Sequence, residues 1–183
     1  MTPNPQTSGG AKWNIMAAYG ANSDAGKSPA KGEAYLEALF GNVVVQDKSA
    51  REALQTFEGG KGDVLLAYEN EAITAQKKGL ELDYLIPDRT IRIETPIAVT
   101  TTTKNKAAAE AFVRFAQGAE AQNVFAQNGY RPVDPKLVDA EKFPTSAGLF
   151  TIDDLGGWSK VNGEFFDEKD GTVTKIQQEA GTQ

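Results

Sequence analysis

The chain has no cysteine and no histidine among its 183 residues. Without cysteine there is no disulfide, no thiol nucleophile and no thiolate-bound metal. That absence leaves the compartment open, because many exported proteins also lack disulfides. Without histidine, Ser-His-Asp and Cys-His catalysis and imidazole-bound metals are excluded. Only carboxylate chemistry is left, so no catalytic residue, metal ligand or cofactor is assigned. An enzyme that works with carboxylates alone stays open from the composition. Positive charge is also in short supply, with 19 Lys and Arg against 25 Asp and Glu and a net charge of −6. A nucleic acid or an anionic membrane calls for a basic face, so neither is an expected partner. No run is long and apolar enough to cross a bilayer. No segment reads as a signal peptide, so any export signal is expected upstream of this chain.

What is present is an ordinary globular composition, 40% hydrophobic and 24% charged, with length enough for one real core. The most informative stretch is Asn4 to Asn14, NPQTSGGAKWN, which reads as a loop opening into a helix. Ser8 is a good N-cap, and Gly9 and Gly10 follow with no side chain to screen their N–H groups. Trp13, Met16, Ala17 and Gly20 then recur as one helical face. A helix start with bare N–H groups and a hydroxyl beside them is a natural oxyanion seat. The alternative is an ordinary capped helix.

Further along, Ser28-Pro29 marks a second helix start, with Tyr35, Ala38 and Leu39 as its buried stripe. Val43–Val45 reads as a short buried strand. Ser49 and Glu52 match a capping box, and Ala50, Ala53, Leu54 and Phe57 give a helical face closed by Gly59-Gly60. Val64–Tyr68 reads as another buried strand. This order of strand, helix and strand predicts a βαβ unit and an α/β fold with a mostly parallel sheet. A helix from Glu69 to Lys78 and an alternating strand over Leu80–Ile86 follow. Residues 91–103 read as extended, with Pro96 at an edge or crossover. Two more helices carry Ala108, Ala111, Phe112, Phe115 and Ala116, then Ala121, Val124 and Phe125. A short helix is expected after Pro135, and the polar end from about Lys169 is expected to be loosely held. Only three residues precede the first loop, so the opening strand reads as cut short. The helices after residue 104 have no strands of their own to cover. Both features predict the C-terminal part of a larger α/β protein.

Four segments carry a resemblance to a known family: TPNPQTSGGAKWN at 2–14, GDVLLAYENEA at 62–72, YRPVDP at 130–135 and LFTIDDLGGW at 149–158. They resemble the C-terminal part of bacterial sulfate-binding proteins, the extracytoplasmic receptors of sulfate and thiosulfate ABC importers. The resemblance implies a periplasmic-binding-protein-like lobe with the N-terminal lobe missing. Residues 1–91 would be the second, ligand-contacting lobe, 92–103 the interlobe crossover, and 104–183 C-terminal helices returning to the first lobe. It also implies a sulfate dianion held by uncharged donors: the Ser8 hydroxyl and the backbone N–H groups of Gly9, Gly10 and Ala50. Tyr68 stands where the family has a tryptophan donor. Lys48–Glu52 replaces a glycine-richer turn, and the first-lobe ligands have no counterpart here. An all-donor site favours sulfate over phosphate, whose proton would find no acceptor.

The implied function is sulfate capture for a membrane permease of the ABC type, by a binding protein and not an enzyme. Self-association, or pairing with a missing N-terminal half, is the further partner expectation. Thiosulfate, molybdate and phosphate are the rival ligands, and a phosphate-ester enzyme built on the Ser8 helix start is the rival class. Of the other notable residues, Trp13, Tyr130 and Trp158 read as packing aromatics. Lys12 and Arg51 read as solvated charges, Glu69 and Glu71 as helix-start acids, and Arg131 as the anchor of a turn. Asp153-Asp154 is too small a group to cage a metal.

Overall fold

The computed structural model describes residues 1–181. Its helices are α1 (Gly9–Asn22), α2 (Pro29–Phe40), α3 (Ala50–Glu58), α4 (Glu69–Lys77), α5 (Lys106–Gln117), α6 (Ala119–Gln127), α7 (Gly157–Phe165) and α8 (Thr172–Ala180). Two strands, β1 (Arg89–Ile91) and β2 (Gly148–Phe150), pair in parallel with Thr90 opposite Leu149. The chain is therefore α/β with a short parallel sheet, the expected class, although the paired strands are not those of the expected βαβ unit. It divides into two compact units. One comprises Met1–Tyr68, Leu85–Ile93 and Ser146–Gln183; the other comprises Glu69–Tyr84 and Glu94–Thr145.

In the first unit, α1 is the central element. Ile15, Met16 and Tyr19 are buried against Leu36 and Phe40 of α2, Ile91 of β1, Phe150 of β2, Val161 and Phe165 of α7, and Val173 and Ile176 of α8. Two glycines make this closeness possible. A Cβ on Gly20 would lie 2.2 Å from the Phe150 ring, and one on Gly32 would lie 2.5 Å from the Tyr19 ring. The α2 stripe accordingly differs from expectation. Gly32, Leu36 and Phe40 are buried, whereas Tyr35 is 43% exposed. A glycine that admits an aromatic ring defined the face, and hydrophobicity alone does not reveal that.

The strands expected at 43–45, 64–68 and 80–86 do not form. Val44 is 68% exposed and Val64 is 66% exposed. Met1–Asn4 runs between the first two segments. Asn4 N donates to Asp47 O at 2.8 Å, Met1 N donates to Val64 O, and Leu66 N donates to Met1 O at 3.0 Å. So few bonds bring the segments together without making a ladder. Past β1, residues 92–103 carry no strand either.

The polar C-terminal segment is a correction too. From Thr172 it is a helix with Val173, Thr174, Ile176 and Gln177 buried, not a loose tail. The i, i+3 pair Val173 and Ile176 supplies an apolar stripe, and Gln177 Nε2 donates to Gln46 Oε1 at 2.8 Å. Before α7, Asp154 accepts from Thr151 N at 2.7 Å, and this bond holds its carboxyl below the usual carboxylate range.

In the second unit, α5 and α6 pack side by side. Gln122 ties them to the following loop: its Nε2 donates to Ala116 O at 2.7 Å and its Oε1 accepts from Val133 N at 2.9 Å. Arg131 forms a two-pronged bond to Glu69, at 2.6 and 2.8 Å, and also reaches Pro144 O at 2.8 Å. The turn-anchor reading of Arg131 fits these contacts. Phe112 and Phe115 stay 62% and 53% exposed, so Ala116 alone of the expected α5 stripe is buried.

Gly20→Ala is expected to cost about 1–3 kcal/mol by overpacking against Phe150. A Cβ on Gly163 in α7 meets nothing within 4 Å. Gly163→Ala should therefore be neutral or stabilising by up to about 1 kcal/mol through helix propensity. Thermal melts followed by circular dichroism of the two variants check the contrast.

Candidate anion-binding site

The start of α1 is built by its sequence. Asn4 before Pro5 makes a side-chain turn, with Gln6 N donating to Asn4 Oδ1 at 2.9 Å. Ser8 N then donates to Asn4 O at 2.9 Å. Ser8, only 8% exposed, is the N-cap of α1, and its Oγ accepts from Ala11 N at 3.3 Å. The first N–H groups of any helix have no partner inside it. Here those belong to Gly9 and Gly10.

The start of α3 is built the same way. Ser49 is its N-cap, and Ser49 Oγ accepts from Glu52 N at 3.2 Å. The Ala50 N–H is among the donors this helix leaves over. Thr7 Oγ1 donates to Lys48 O at 2.9 Å, and Thr56 Oγ1 of α3 donates to Asp47 Oδ1 at 3.0 Å. With the Asn4–Asp47 bond, these contacts fasten the loop before α1 to the loop before α3. Asn4, Thr7 and Asp47 are the positioning residues that the sequence reading missed. The Asn-Pro turn was the local signal for the first; nothing local marks the other two.

The two helix starts consequently meet. A Cβ on Gly10 would lie 3.3 Å from Ala50 Cβ, 3.4 Å from Ser8 Oγ and 3.4 Å from Tyr68 Oη. Ser8, Gly10, Ala50 and Tyr68 thus surround one point. Gly9 is exposed at its edge, and a Cβ there would meet nothing within 4 Å. Tyr68 is half-buried, and the chain before it is held by Asn14 Nδ2 donating to Leu66 O at 2.9 Å.

The groups named at this point are neutral. Lys12 is turned toward α7, where its Nζ donates to Asn162 Oδ1 at 2.9 Å and lies 4.9 Å from the Phe166 ring centre. The solvated-charge reading of Lys12 therefore gives way to a packing role. Arg51 is exposed. Trp13 and Trp158 pair edge-to-face at 4.6 Å between centroids, which fits the packing role expected of them. They line an open groove of about 410 Å³ beside Ser8 and Gly9. Among the described residues no acidic cluster could hold a metal ion, and no helix is long and apolar enough to cross a membrane. What the arrangement offers is two sets of oriented backbone donors, each at the positive end of a helix dipole, plus two hydroxyls.

A family model described as bacterial extracellular solute-binding protein matches residues 1–131. The sulfate-binding protein of Synechococcus elongatus is 43% identical over 185 residues, covering 97% of this chain and 53% of that protein. The sulfate-binding protein of Escherichia coli is 38% identical over 178 residues, covering 91% of this chain and 54% of its own length. The thiosulfate-binding protein of the same organism is 34% identical over 172 residues, covering 87% and 50%. Among solved structures, the sulfate-binding protein SubI of Mycobacterium tuberculosis matches with a TM-score of 0.85 and 43% identity, covering 91% of this chain and 59% of that one. The chain spans about half the length of the curated relatives it matches.

Both caps are testable without a ligand. Ser8→Ala and Ser49→Ala are each expected to lower stability by about 1 kcal/mol, read as a drop in denaturation midpoint with an unchanged slope.

Proposed function

The chain belongs to the family of bacterial extracellular solute-binding proteins, and on that premise we propose that it binds sulfate at the joined starts of α1 and α3. The observation that carries this reading is the ring of Ser8, Gly10, Ala50 and Tyr68 around one point. Backbone N–H groups of Gly9, Gly10 and Ala50 donate to the oxyanion, and the hydroxyls of Ser8 and Tyr68 complete the donor set. No cationic side chain is needed. Helix-start donors are already oriented, so binding costs no reorganisation of the protein. An acidic chain can hold a dianion in this way because the favourable potential is local.

In the same reading the protein is a receptor without catalytic activity, acts outside the cytoplasm and delivers its anion to an ABC-type membrane permease. A second polypeptide region supplies the opposite wall of the cleft, through self-association or pairing with an N-terminal half. Residues 1–91 form the ligand-contacting lobe, 92–103 the crossover and 104–183 the return toward the first lobe. Thiosulfate is the second ligand this reading admits, since one relative is named for it. It has the tetrahedral shape and double charge of sulfate.

Calorimetric titration with sulfate in chloride buffer, with nitrate as control, tests the proposal. Saturable heat with sulfate alone is expected. Gly10→Ala, which puts a methyl group into the ring, is expected to weaken sulfate at least about tenfold, the equivalent of one charge-assisted hydrogen bond. Gly9→Ala should weaken it less. No heat and no shift of melting temperature with sulfate would contradict the proposal.

A further inference from the structure

We infer that Thr174 and Gln177 of α8 are positioning residues for the anion site, anchoring the loops that lead into α1 and α3. This rests on the sulfate reading above and adds to it two residues far away in sequence. α8 makes one side-chain hydrogen bond to each loop. Gln6, in the loop before the Ser8 cap, donates from Nε2 to Thr174 Oγ1 at 2.9 Å. Gln46, in the loop before the Ser49 cap, accepts at Oε1 from Gln177 Nε2 at 2.8 Å. Thr174 and Gln177 are an i, i+3 pair and so share one face of α8. Thr174 is itself fixed, because its Oγ1 donates to Asp167 O at 2.8 Å.

The loops also bind each other, through Thr7 Oγ1 to Lys48 O at 2.9 Å and Asn4 N to Asp47 O at 2.8 Å. Bonds between two loops leave the pair free to move together. Bonds from both loops to one helix of the core set where the pair stands, and with it the direction of the helix-start donors. Burial shows that these polar side chains are not the choice for stability alone. Thr174 is 2% exposed and Gln177 0%, and Gln177 Oε1 is buried with no hydrogen-bond partner among the described residues. An apolar side chain of similar volume would pack here without that penalty. Such a departure from the rule of an apolar core is expected where a functional site needs it.

The test titrates sulfate into the full chain and four variants by calorimetry, with a thermal melt and a ligand-free amide nitrogen–proton spectrum of each. Thr174→Val and Gln177→Met keep the bulk and remove the bonding group. Thr174→Ser keeps the hydroxyl. Ile176→Val trims a buried core contact of the same helix and so lowers stability. Thr174→Val and Gln177→Met are each expected to weaken sulfate roughly three- to tenfold, the worth of one neutral hydrogen bond. Both should also move the ligand-free amide signals of Gly9, Gly10 and Ala50. Thr174→Ser should bind like the wild type, and Ile176→Val should melt lower with unchanged sulfate affinity. Unchanged affinity in both Thr174→Val and Gln177→Met, or an equal loss in Ile176→Val, would overturn this inference and leave the sulfate reading standing. A wild type that takes up no sulfate would overturn the sulfate reading, and this inference with it.

Discussion

The side chain that Gly10 lacks is the constraint on which the candidate site depends. Where its Cβ would stand, Ala50 Cβ, Ser8 Oγ and Tyr68 Oη all lie within 3.4 Å. With that space open, the first turns of α1 and α3 approach each other, and each leaves its first N–H groups without a partner inside its own helix. Each helix start alone is an ordinary capped terminus. Two of them, joined through Thr7–Lys48 and Asn4–Asp47, concentrate partial positive charge without a charged side chain. In the proposed reading, this is how a chain of net charge −6 offers a seat to an anion.

The rest of the first unit supports that arrangement. α1 packs against α2, β1 and α7, and shares one buried core with β2 and α8. Gly20 and Gly32 let aromatic rings approach the backbone, and the Trp13–Trp158 pair sits one turn from the site. A rigid helix fixes the direction of its terminal donors. In the proposed reading, fixed donors of this kind let uncharged groups compete with water for an anion. The buried α8 packs against α2 and α7 in the same core and is not a frayed tail.

Much of the site was legible because helix capping is local. Ser8 before two glycines and Ser49 three residues before Glu52 announce their helix starts within four residues of sequence. That these two starts meet is a long-range fact, fixed by Thr7, Asp47 and Thr56, and no local pattern carries it. The α/β class was legible from the order of apolar runs. The individual strands were not: Val43–Val45 and Val64–Tyr68 have the composition of buried strands, but pairing depends on neighbours, and Val44 and Val64 stand exposed. The stripe of α2 was misjudged for a related reason. Hydrophobicity ranks Tyr35 above Gly32, yet Gly32 faces the core because only a glycine admits the Tyr19 ring.

The central claim is that sulfate binds at the joined starts of α1 and α3 through backbone donors. Amide nitrogen–proton correlation spectra of the isotope-labelled chain, recorded during sulfate titration, test it most directly. The account predicts saturable downfield shifts that are largest at Gly9, Gly10 and Ala50, with helix interiors unmoved. Shifts confined to lysine- or arginine-rich surface segments, or none at those three amides, would contradict it.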